Sequence, residues 1–81
     1  MRRSGPAPLP KGLSATTCEL VAEVLRAAPT DLSAVETAER VGVARVSARR
    51  YLEHLTRTGQ ATLRPRYGSA GRPEHRHAWA G

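Results

Sequence analysis

Apolar residues recur at Leu20, Val21, Val24, Leu25 and Ala28, a three- and four-residue spacing that predicts a helix from about Ala15 to Ala28 with one buried face. Ser14 is a good N-cap for it, Leu13 can staple onto Cys18 one turn in, and Pro29 stops it. A second, shorter helix is predicted over Ala34–Val41, with Val35, Ala38 and Val41 pointing inward. Ser33 and Glu36 stand at the two positions of a capping box, and Gly42 supplies the residue tolerant of positive φ that ends such a helix. Two residues later a third helical pattern begins, running from Arg45 to about Thr58 and closed by Gly59. Two helices joined by so tight a turn are the signature of a helix-turn-helix.

After Gly59 the period changes from helical to alternating. Gln60–Pro65 and His75–Trp79 read as short strands, separated by the turn-rich stretch 66–73. This predicts a β-hairpin with a wide tip, fastened to the helices by Leu63 and Trp79, with Pro65 at an edge or strand end. Asp31 and Leu32 could add a minimal third strand. The expected fold is mainly α, a small α+β unit of three helices carrying a C-terminal hairpin wing. Residues 1–12, rich in Pro and Gly, cannot pack and are expected to form a flexible linker or tail, with the folded domain spanning 13–80. A linker at that point suggests a further segment upstream in a longer parent protein.

Composition narrows the classes. An 81-residue chain holds one modest core. No apolar run approaches a membrane span, and the basic start Met1-Arg2-Arg3 is not followed by the apolar stretch of a secretory signal. Cys18 is the single cysteine, so there is no internal disulfide and no cysteine-based metal framework; it is expected to pack as a small apolar residue. A cytoplasmic location is the simplest expectation. The charge is uneven. Residues 1–43 balance, whereas residues 44–81 carry eight Arg against Glu53 and Glu74, so the whole net charge of +6 lies there. A one-sided field built from Arg suits phosphate and base-edge recognition.

On a helical wheel of residues 45–58, Ala48, Tyr51, Leu52 and Leu55 form the core side. Val46, Arg50, Glu53 and Arg57 lie opposite, flanked by Arg45, Ser47, Arg49 and His54. Such a helix directly after a tight turn is expected to enter the major groove of duplex DNA, where Arg can bond bidentately to guanine. Arg45 and Ser47, in the first turn, suit phosphate; Arg50 suits a base edge; Arg57 suits the backbone. Val46, apolar on an exposed face, suits a thymine methyl or carries no role. On the wing, Arg66, Arg72 and Arg76 are the candidate contacts.

The stretch LSAVETAERVGVARVSARRYLEHL followed by RYGSAGRPEHRHAW resembles the C-terminal DNA-binding domain of citrate/malate-type (CitB/DcuR-like) two-component response regulators, and LPKGLSATTCELV fits that family's linker and first helix. The resemblance covers about residues 9–80. It implies a winged helix-turn-helix, transcriptional regulation, and a place for Arg45, Val46, Ser47, Arg49 and Arg50 on the recognition helix and for Gly71-Arg72-Pro73 at the wing. The receiver domain that such regulators carry upstream is absent from this chain, which is therefore expected to be either an excised effector domain, with a receiver domain and a sensor kinase as partners in its parent protein, or a regulator controlled in another way. One departure is Ala44, where the family places a Ser N-cap, forfeiting a bond of ~1 kcal/mol. Gly71-Arg72-Pro73 also echoes the short element that AT-hooks lay in the minor groove, although a wing tip touching only phosphate fits as well.

Other chemistry is sparse. His75 and His77 share one face of a strand, but with Cys18 they lack the spacing of a zinc site, so surface or phosphate-contacting roles are expected. No nucleophile–base pair, carboxylate pair or phosphate-cradling glycine loop is present, and neither an enzyme nor a cofactor is expected. Two other functions remain open: a winged helix serving as a protein-interaction module, and double-stranded RNA binding. Four Arg on the third helix argue against the first, and the narrow A-form major groove argues against the second. No dimerisation helix is evident, so the isolated domain is expected to be a monomer.

Overall fold

The computed structural model describes residues 9–67 and 73–80, with the side chains at 66, 67, 73 and 74 outside it. In chain order the elements are α1 (Ala15–Ala27), β1 (Leu32–Ser33), α2 (Ala34–Val41), α3 (Arg45–Arg57), β2 (Ala61–Tyr67) and β3 (Pro73–Trp79). The strands form one antiparallel sheet in the order β1-β3-β2. Three helices against a small antiparallel sheet, with a hairpin after the last helix, make this a winged helix-turn-helix.

The caps are those the residues predict. Ser14 Oγ accepts from Thr17 N at 3.0 Å, and Ser33 and Glu36 close a reciprocal capping box at 3.1 and 2.9 Å. Gly42 ends α2 at φ 90°, in the left-handed region, and its N–H donates to the Ala38 carbonyl at 2.8 Å. Ala44 sits at the N-cap of α3 and, having no side-chain acceptor, makes no capping bond. β3 begins two residues earlier than the alternation suggests, at Pro73, and β2 is one residue longer than expected, starting at Ala61 and running on to Tyr67. The minimal strand is Leu32–Ser33 rather than Asp31–Leu32.

The core joins Val21, Ala22 and Leu25 of α1, Leu32 of β1, Tyr51, Leu52 and Leu55 of α3 and Ala61 of β2, with Leu13 and Cys18 packed against its edge. Three expected core residues lie outward: Leu20, Val35 and Leu63 are 44, 45 and 40% exposed. The helical reason is one of phase. In α1 the inward stripe is Cys18, Val21, Ala22 and Leu25, and in α2 it is Ala34, Thr37, Ala38 and Val41. Each set follows the i, i+3, i+4, i+7 spacing, and Leu20 and Val35 fall off it. Thr37 takes the inward place because its hydroxyl donates to the Ser33 carbonyl at 2.8 Å, so its burial leaves no polar atom unpaired. Trp79, half-buried, anchors the end of β3 with Arg26 5.1 Å over its ring.

Candidate nucleic-acid interface

The tight Val43–Ala44 turn sets α3 across the molecule with its core side on α1 and its outer side in solvent. Arg45, Arg49, Arg50 and Arg57 are exposed, Ser47 is half-buried, and Val46 is 67% exposed. The hairpin runs beside this face. Arg45, Val46, Arg49, Glu53 and Arg57 of α3 and Leu63, His75 and His77 of the hairpin together line an open groove. Helix and wing thus present one continuous surface. Glu53 is the one carboxylate among the described residues lining it.

Within that surface the arginines differ in what they touch. Arg49 Nε donates to Glu53 Oε2 at 3.3 Å, one turn along the same helix, with both side chains at least half exposed. Arg50 points to the other flank of α3, where its Nη2 donates to the Lys11 carbonyl at 3.0 Å. Beside it, the Tyr51 hydroxyl accepts from Ser14 N at 2.8 Å, and that N–H is what lowers the phenol's pKa most. Gly12 lies at φ +91°, and a Cβ there would stand 3.4 Å from Arg50 Nη1. Consecutive residues of α3 therefore hold the chain entering α1. The linker expected over 1–12 is in contact with the domain by residue 11.

Arg76 requires a correction. It was expected on the wing's surface with Arg66 and Arg72, but its side chain is only 9% exposed. Its Nε donates to Asp31 Oδ1 at 2.6 Å, and its Nη2 to Glu36 Oε1 at 2.9 Å and to the Asp31 carbonyl at 3.1 Å. The cause is the register of β1 on β3, which sets Ser33 opposite Arg76 and brings Asp31 and the first turn of α2 within reach. The guanidinium is a fastener between wing and helix-turn-helix. Glu36 is held below the usual carboxylate range, chiefly by the Ser33 N–H and further by Arg76. For the remaining wing candidates, Arg66 pairs in register with Glu74 through the backbone, its side chain lies outside the described residues, and so does Arg72 altogether.

The histidines also divide. His75 is exposed, whereas His77 is 6% exposed and its Nδ1 has no hydrogen-bond partner among the described residues. Burial pushes His77 down from the ordinary imidazole range and His75 adds to this, while Glu53 opposes it. His54, placed on a flank by the wheel, is buried too. Among the described residues no group of His, Cys, Asp or Glu is arranged to hold a metal ion, and no helix is long and apolar enough to cross a membrane. Burial and a nearby carboxylate raise the Cys18 thiol, which suits a packing residue rather than a nucleophile.

The class of protein this fold and surface define is a winged helix-turn-helix domain with a basic, exposed face on its third helix. No family model matches the chain. Among curated proteins it is 45% identical over 73 residues, 90% of its length, to the probable C4-dicarboxylate response regulator DctR of Bacillus subtilis. It is 43% identical over 74 residues to the transcriptional regulatory protein CitT of Halalkalibacterium halodurans, and 48% identical over 65 residues to a probable C4-dicarboxylate response regulator DctR of the same organism. The chain is homologous to a segment of response regulators of the citrate and C4-dicarboxylate type, as its residues suggest. It spans about a third of the length of the curated relatives it matches, 32% of the first.

Proposed function

We propose that the chain binds double-stranded DNA with sequence preference and serves as the effector domain of a transcriptional response regulator. The observation that carries this is the outer face of α3, where Arg45, Arg49 and Arg57 line one open groove with the hairpin and make no ion pair with any described residue other than Glu53. A helix of this width fits the major groove, and the hairpin beside it would lie along the adjoining backbone. In this reading Arg45 and Ser47 meet phosphate near the helix N-terminus, and Val46 meets a thymine methyl. Arg49 reads a base edge, Arg57 follows the backbone, and Arg66 and Arg72 extend the contact from the wing. Arg50 reaches DNA only by leaving the Lys11 carbonyl. The relatives' role in transcription supports the regulatory part. A protein-docking face would be expected to carry fewer positive charges.

The test is a titration against duplex DNA over a range of salt. Neutralising roughly five to seven phosphates gives a slope of log affinity on log salt near −4 to −6. A slope near zero, or equal binding to duplex RNA, would overturn the proposal.

A further inference from the structure

Arg49 and Arg50 are neighbours in sequence with opposite engagements. Arg50 spends a terminal nitrogen on the linker, at the Lys11 carbonyl. Arg49 is held at its Nε, by Glu53 Oε2 at 3.3 Å, and neither of its terminal nitrogens has a partner among the described residues. The distinction has a chemical consequence. A guanidinium carries five N–H donors in a rigid fork, and gripping the Nε edge leaves the Nη1–Nη2 edge intact. That free edge is the one whose two parallel donors match guanine O6 and N7 end-on.

Glu53 is otherwise hard to account for. It lines the groove among Arg45, Arg49, Arg57 and His75, where a carboxylate facing a phosphate backbone lowers affinity for any sequence. An exposed pair of this kind contributes little to stability, so stability does not explain its place. Orientation does. A free Arg side chain loses rotamer freedom on binding, and a partner that fixes it beforehand reduces that loss at the correct base. At a wrong base the same fixation leaves the fork without acceptors.

We infer that Glu53 is a specificity-determining positioning residue, which holds Arg49 so that its terminal edge is presented to a single guanine in the major groove. The inference rests on the DNA-binding reading of α3. It adds a division of labour: Arg49 reads, Arg50 tethers the linker, and Glu53 sets the angle while weakening attachment to random sequence.

The experiment begins with a duplex selected from a random pool by the unmodified chain. If that chain shows no salt-sensitive duplex binding, the DNA-binding reading itself fails, and that outcome is separate from the following ones. Each G·C pair of the selected duplex is then changed in turn. Affinities are measured for the parent, Arg49→Ala, Glu53→Ala, Glu53→Gln and the double Arg49→Ala/Glu53→Ala variant, with helix content and melting temperature as controls for folding. The parent should lose about five-fold or more at one position. Arg49→Ala and Glu53→Ala should each flatten that same position, the double variant no more than either, and Glu53→Ala should bind random duplex more tightly. Glu53→Gln, which keeps an acceptor oxygen, should retain most of the preference. The inference is overturned if Glu53→Ala leaves discrimination unchanged at every position. Loss at a position that Arg49→Ala does not touch overturns it too, as does equal loss in the Ala and Gln variants.

Discussion

Replacing Arg76 by Ala separates a surface wing contact from the buried fastener. The guanidinium is 9% exposed and bonds Asp31, itself 20% exposed, and Glu36, 44% exposed. Breaking a fully buried pair by removing one partner costs about 3–5 kcal/mol, because the other charge is left desolvated. Asp31 would bear most of that penalty. Glu36 would bear little, since it is nearly half in water and the Ser33 N–H still holds its carboxylate. A loss of about 2–3 kcal/mol follows, against a total of only ~3–5 kcal/mol for a domain of this size. With a urea dependence near ~1 kcal/mol per molar, the unfolding midpoint should fall by about 2–3 M. The assay is a urea melt followed by circular dichroism on the parent, Arg76→Ala, Asp31→Asn and the double variant. The cycle should show about 1–3 kcal/mol of coupling between the two residues. A loss below about 0.5 kcal/mol with no coupling, together with weaker DNA binding and a salt slope shallower by about one, would refute the fastener and restore Arg76 to the wing surface.

Two further outcomes are expected. Ala44→Ser should stabilise the fold by about 0.5–1 kcal/mol in the same melt, by giving the start of α3 the side-chain acceptor it lacks; no gain would mean that water already caps that turn as well. His77, whose pKa is lowered by burial, favours a fold that binds fewer protons than the unfolded chain, so its contribution is complete above its unfolded value near 6.5 and is lost as pH falls below it. The melting temperature should therefore drop between about pH 7.5 and pH 5.5, above the range where Glu36 titrates, and His77→Leu should flatten that drop although His75 and Glu53 still face the site. An unchanged slope in His77→Leu would place the titrating group elsewhere.

The helices and their caps were legible in the sequence because each is a local matter. Ser14, the Ser33–Glu36 box, Gly42 and the missing cap at Ala44 all act within four residues of themselves, and so does the helical period. The basic, exposed face of α3 was legible for the same reason: which residues share a helix face depends only on spacing. The hairpin and its place after α3 were legible in the alternation and turn residues that follow Gly59, and the resemblance to response regulators added the expectation of a role for Gly71-Arg72-Pro73 at its tip. The phase of a face was less secure. Leu20 and Val35 are apolar and close to the buried stripe, and only the packing of α1 and α2 decided that Thr37 goes inward and they do not.

What the tertiary structure alone decided concerns partners distant in the chain. Arg76 looks like any wing arginine until β1 pairs with β3 and brings Asp31 to it across 45 residues. Arg50 looks like a free base reader until the segment before α1 folds back over α3 and offers the Lys11 carbonyl across 39 residues. His75 and His77 are equivalent by alternation, but His77 stands in register between Leu32 of β1 and Leu63 of β2 and is buried, whereas His75 lies beyond the end of β1 and is exposed. A charged side chain several bonds long can reach in many directions, and its local sequence sets none of them. Its direction is fixed by whichever opposite charge or carbonyl the folded chain brings within about 3 Å, and that is a property of the register between elements, which no local pattern encodes.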